Sequence, residues 1–144
     1  MRLLPFVLTG LLVLALSLSA CGGAPPATTS TTTTTATTTS GQTFGSLSSA
    51  GQGVYAQSCA TCHGAQGQGS TAPALIGTSA SLQKYNSAQG LLNFISASMP
   101  FSAPGSLSRQ QYINVLAYLL VQNQYVQAST AFNESQLSGI TLTK

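Results

Sequence analysis

Apolar and polar positions divide this 144-residue chain into unlike stretches. Leu3 to Leu18 is almost wholly apolar. Residues 28–40 then read TTSTTTTTATTTS, ten Thr, two Ser and one Ala. Such a tract has nothing to bury and cannot offset its backbone entropy, so it is expected to stay extended or disordered. Apolar residues return at helical spacing further on. Val54, Tyr55 and Cys59 predict a first helix from about Ser48 to Ala60, and Leu91, Leu92, Phe94 and Ile95 a second over Ser87 to Ser98, ended by Pro100. A third runs from Ser108 to Asn123, where Ser108 and Gln111 form a capping box, Leu107 can staple to Tyr112, and Ile113, Leu116, Ala117 and Leu120 trace the buried stripe. A Gly/Ala/Ser/Pro-rich loop from Gly64 to about Ala80 joins the first two helices, and no strand alternation exceeds a few residues. The expected fold class is therefore all-α.

The apolar start, with Arg2 before it, reads as a targeting segment. Leu18-Ser19-Ala20-Cys21 resembles the bacterial lipobox, in which the cysteine thiol is lipidated before cleavage ahead of it. The competing reading, a single transmembrane helix, has an apolar run of about 16 residues where roughly 20 are needed, interrupted by Pro5 and Gly10. The expected organisation is a lipoprotein signal peptide over 1–20, a lipidated Cys21 with a Thr/Ser-rich tether over 21–47, a folded domain over 48–127 and a C-terminal tail over 128–144. As a flexible coil the tether would span roughly 25–30 Å. A lipid anchor places the domain on a bacterial membrane, facing the periplasm or the cell exterior.

Charge then narrows the function. Only 3% of the residues are charged, four Lys or Arg against one acidic residue, for a formal net charge of +3. No basic stripe exists to neutralise phosphates, which argues against nucleic acid as a partner. Glu134 is the sole acidic side chain, so paired-carboxylate catalysis is excluded. With so little charge, docking to other proteins should rest on apolar and hydrogen-bonding contacts rather than electrostatic steering.

The motif that carries chemistry is Cys59-Ala60-Thr61-Cys62-His63. CxxCH is the attachment sequence of c-type haem. Two thiols three residues apart at the end of a helix face the same way and can add to the two vinyl groups of one porphyrin, while the next residue places an imidazole under the iron. A zinc site built on Cys59, Cys62 and His63 lacks a fourth Cys or His ligand once the signal is removed and Cys21 is lipidated, and a thioredoxin-type pair lacks its βαβ context. His63 is the only histidine, so a second imidazole cannot complete the coordination; Met99 is the only methionine beyond the signal. A lone Met is ordinarily a core filler, but beside CxxCH it is the candidate sixth ligand, since His/Met ligation raises the reduction potential.

From Gly51 to Gln124 the chain resembles the class I cytochromes c. Gly51-xxx-Tyr55-xxx-Cys59 resembles the family's first helix, Ala117-Tyr118-Leu119 its last, Pro73-Ala74-Leu75-Ile76-Gly77 the loop after the haem motif, and Met99-Pro100 the distal-ligand dipeptide. The resemblance implies a small helical fold around one covalently bound haem c, with Gly51, Tyr55 and Tyr118 at a helix crossing. It also implies that the Pro73 carbonyl accepts a hydrogen bond from His63, and that iron is bound by His63 and Met99. The stretch from Met99 onward is similar to cytochrome domains that accompany quinoprotein dehydrogenases. Tyr55, Leu75, Leu92, Phe94 and Leu116 are expected to form the apolar shell around the iron. The functional expectation is a membrane-anchored monohaem electron carrier without catalytic activity of its own, serving redox-protein donors and acceptors. The alternatives are a haem c subunit of a larger oxidoreductase, or a ligand sensor if Met99 does not bind iron.

Overall fold

The computed structural model describes residues 41–143. The signal segment, Cys21 and the Thr-rich tract lie outside the described residues. Four α-helices follow in order: α1 Phe44–Ser58, α2 Ala60–His63, α3 Ala88–Ser98 and α4 Arg109–Gln122. Among the described residues two 3-10 segments, Leu82–Tyr85 and Glu134–Gly139, complete the helical content, and β structure is limited to isolated bridges. None of the described helices is long and apolar enough to cross a membrane.

Helix α4 forms as its sequence predicts. Ser108 and Gln111 make the reciprocal capping box, and Tyr112, Ile113 and the run Val115 to Leu120 are buried. It packs against α1, and Gly51 makes that approach possible. A Cβ at Gly51 would overlap the Asn114 carbonyl and press on the Tyr118 Cβ. Beside this contact the Tyr55 and Tyr118 rings meet with centroids 5.2 Å apart. The expected crossing of Gly51, Tyr55 and Tyr118 is what the structure contains.

The first helix and the tail depart from expectation. Helix α1 begins at Phe44, four residues before the predicted Ser48, and ends at Ser58 rather than Ala60. Its start is a capping box between Thr43 and Ser46, a pairing with Ser where Glu or Gln is the usual signal. Two of the orphan N–H groups that any helix start leaves are taken up by the tail: Phe44 N–H donates to the Thr130 carbonyl at 2.9 Å and Gly45 N–H to Ala128 at 2.8 Å. The Phe44 and Phe132 rings meet edge to face. Further along, Ala88 N–H donates to Ile140 and Leu142 N–H to Asn86, tying the tail to the start of α3. Leu137 and Leu142 are completely buried. The packed unit therefore reaches beyond the expected 48–127 on both sides, because a segment without helical periodicity supplies both backbone partners and core side chains.

Candidate haem site

Helix α1 ends where Cys59 N–H donates to the Tyr55 carbonyl, and Cys59 then caps the short α2 that carries Cys62 and His63. Cys62 and His63 both donate their N–H groups to the Cys59 carbonyl. The motif is thus one tight turn, held from behind by the Tyr55 hydroxyl, which donates to the Gly64 carbonyl at 2.8 Å. The following loop folds back over it: Gly69 N–H donates to His63 and Ala72 N–H to Cys62, while Leu75 and Ile76 both donate to Gly67. Gly67 has φ +74°, and a Cβ there would run into Ile76, so this closure requires glycine.

The fold-back brings Pro73 to the imidazole. His63 Nδ1 lies 2.7 Å from the Pro73 carbonyl oxygen. A carbonyl only accepts, so Nδ1 carries the proton and donates, leaving the lone pair on Nε2. That is the tautomer a metal-binding histidine requires, and the partner carbonyl fixes the ring's orientation. The bond was expected only by resemblance; here it follows from the loop's own hydrogen bonds.

Across from the motif, Met99 caps the C-terminus of α3, its N–H donating to Ile95. Its carbonyl accepts a hydrogen bond from the Tyr112 hydroxyl of α4 at 2.7 Å. Cys59, Cys62, His63, Pro73 and Met99 all line one cleft of about 810 Å³, within the usual range of ligand pockets. A smaller adjoining space again includes His63, Pro73 and Met99. Of the five residues expected to shield the iron, Leu75 and Phe94 line these spaces. Tyr55, Leu92 and Leu116 lie instead in the buried core, and Ile95, Val115 and Leu119 supply cleft wall in their place. Ile95 lies on the predicted stripe of α3, whereas Val115 and Leu119 fall outside the stripe predicted for α4, which is buried without a break from Val115 to Leu120.

Two features escaped the sequence reading. Tyr112 was read as a staple residue, yet its hydroxyl fixes Met99. Asn123, almost fully buried, donates to the Leu75 carbonyl at 2.8 Å and accepts from Gly77 N–H at 3.2 Å, tying the loop after the motif to the end of α4. A buried amide after a helix terminus was the available signal.

The donor set fits a covalently held haem: two thiols on one turn, an imidazole of fixed tautomer, a thioether on the opposing segment and an apolar wall. Before haem is attached, burial, with a smaller contribution from Cys62, pushes the Cys59 thiol up to about 11. Among the described residues no cluster of three His, Cys, Asp or Glu side chains could hold a bare metal ion.

The family described as cytochrome C oxidase, cbb3-type, subunit III matches residues 47–119. No curated protein matches the chain. Among solved structures, the sulfane dehydrogenase SoxCD of Paracoccus pantotrophus is similar at 24% identity and TM-score 0.55, with 65% of this chain and 52% of that one covered. The thiosulfate dehydrogenase TsdBA of Marichromatium purpuratum aligns at 29% identity and TM-score 0.42, over 50% of this chain and 17% of that one. Cytochrome cL of Hyphomicrobium denitrificans aligns at 19% identity and TM-score 0.46, over 65% and 58%. The chain thus spans less than two thirds of each of these relatives. With a family match over half of its length, the chain belongs to the cytochrome c family, as a monohaem class I domain of the kind found in subunit III of cbb3-type cytochrome c oxidase, with haem c covalently bound.

Proposed function

We propose that the protein is a lipid-anchored electron carrier, working outside the cytoplasm between redox-protein donors and acceptors. The observation that carries this reading is the single cleft that gathers Cys59, Cys62, His63 and Met99, with Pro73 orienting the imidazole. Cys59 and Cys62 hold the cofactor as thioethers. His63 Nε2 and the Met99 sulfur would be the two protein ligands to the iron, and such a pair favours a raised reduction potential. When bound, haem c supplies reversible one-electron exchange at its iron. Leu75, Phe94, Ile95 and Leu119 exclude water from the cleft, and low polarity there favours the less charged, reduced form. The sole imidazole is committed to the iron, so no nucleophile–base pair remains and the protein acts as a carrier rather than a catalyst.

The lipobox supports the anchor at Cys21, on a membrane face toward the periplasm or the cell exterior, with the Thr-rich tract as spacer. Partner docking uses the part of the cleft rim around Phe101, which is 85% exposed. A tether also raises the local concentration of membrane-bound partners, in place of electrostatic steering.

The test is spectroscopic and chemical. Mass analysis should find haem on the peptide containing Cys59 and Cys62, and the oxidised protein should show the weak far-red band of Met–Fe(III) ligation, lost in Met99→Ala. Rapid carbon monoxide binding with no such band would overturn the carrier assignment and favour a ligand sensor. The family's description as an oxidase subunit favours a second reading, a cytochrome subunit of a larger oxidoreductase. Retention of a stable complex during purification in mild detergent would select it over a mobile carrier.

A further inference from the structure

Among the described residues only three side chains are charged: Lys84, Arg109 and Glu134. Arg109 and Glu134 are paired with each other. Lys84 is the cation left over, and it lines the cleft space that also contains His63 and Met99. Its position is held by its surroundings. The 3-10 turn Leu82–Tyr85 is anchored by Leu82, 1% exposed, and closed by Asn86 at φ +63°, whose N–H donates to Gln83. The Lys84 ammonium sits 5.1 Å from the centroid of the Tyr85 ring. That ring packs at a tilt against Phe94, centroids 4.7 Å apart, and both aromatics belong to the cleft wall. A cation is thus held at the rim of an otherwise apolar chamber by the ring's negative face.

Haem is a dicarboxylate, and a carboxylate at an apolar wall is costly unless paired. We propose that Lys84 is the positioning residue for a haem propionate, pairing with it at the cleft rim and thereby raising the reduction potential. Two effects share one sign. The ammonium opposes the extra positive charge of ferric iron, and it neutralises a carboxylate that would otherwise favour that charge. No described acidic side chain competes, because Glu134 is engaged by Arg109. The proposal rests on placing the haem in this cleft, as proposed above.

The test is the reduction potential of the haem-loaded protein, measured spectroelectrochemically in Lys84→Arg, Lys84→Gln and Lys84→Glu, with the double variant Arg109→Gln, Glu134→Gln, which removes both members of the other ion pair, as control. At a fixed applied potential, Lys84→Gln should lower the ferrous-to-ferric ratio roughly two- to fivefold, the scale of an exposed ion pair. Lys84→Glu should lower it further, while Lys84→Arg and the control stay near wild type. These differences should shrink as salt is raised. A merely structural role would not order the variants by charge. Equal potentials in haem-loaded Lys, Gln and Glu forms would overturn the Lys84 assignment alone. A wild-type protein that carries no haem on Cys59 and Cys62 would overturn the placement itself and this proposal with it.

Discussion

The Tyr112 hydroxyl donates to the Met99 carbonyl oxygen at 2.7 Å, tying the C-terminal end of α3 to the first turn of α4. Met99 has left the helix, with φ −125° and ψ 153°; its N–H still donates to Ile95, while its carbonyl is taken up by Tyr112. Tyr112 is nearly buried, and replacing it with Phe keeps the packing while removing the bond. A net hydrogen bond contributes about 1 kcal/mol. Tyr112→Phe should therefore loosen the methionine side of the site and raise the affinity of the ferric protein for added imidazole roughly fivefold. Titration followed through the far-red band measures this; unchanged affinity would mean that Met99 is held by other contacts.

The contact between Gly51 and Asn114 sets how closely α1 and α4 approach. A methyl group at position 51 meets backbone, which cannot rotate away, so the helices must separate. Gly51→Ala should cost roughly 1–3 kcal/mol, the usual range for overpacking. Chemical denaturation of the haem-loaded protein should show a lower midpoint with an unchanged slope.

These residues also show what the sequence could and could not reveal. Cys59, Cys62 and His63 were legible because the chemistry demands contiguity, and α4 because its cap and stripe agree. Met99 stood out by elimination, since no other methionine lies beyond the signal segment. Tyr112 was legible as a packing residue but not as a donor, because its acceptor lies 13 residues away on another element. The tail was the larger miss. Leu137, Ile140 and Leu142 follow no single period and sit among Ser, Thr and Gly, so nothing local marks them as core. Ile140 and Leu142 are tied to the start of α3, which only the assembled fold brings near.

The tail therefore offers a direct test of its structural weight. Leu137 is completely buried on the 3-10 segment Glu134–Gly139. Leu137→Ala removes that contact and leaves a void, a change that costs about 2–5 kcal/mol in well-packed cores. If the tail were a loose appendage, the substitution would leave the unfolding midpoint where it is. Thermal or denaturant unfolding distinguishes the two outcomes, and the haem spectrum should stay native in the folded variant because no cleft residue is altered.

Tyr55 sets the alkaline limit of stability. Its ring is 1% exposed, and burial is the largest cause that pushes its hydroxyl from 10.0 up to about 12, ahead of the Cys59 thiol, whose contribution ends when that sulfur becomes a thioether, and of Tyr118. Burial also raises Tyr118 and Tyr125. In the unfolded chain Tyr55 loses its proton near pH 10, while the folded chain keeps it until about pH 12. Within that window the folded state holds more protons, so stability falls as pH rises. The contribution is complete below pH 10 and declines by about 1.4 kcal/mol per pH unit above it. Tyr55→Phe removes this decline, but it also removes the bond to the Gly64 carbonyl, which costs about 1 kcal/mol at neutral pH. The two stability curves should therefore converge above pH 10 and cross before about pH 12, where the wild type becomes the less stable. Parallel curves across that window would show that Tyr55 does not titrate as its burial requires.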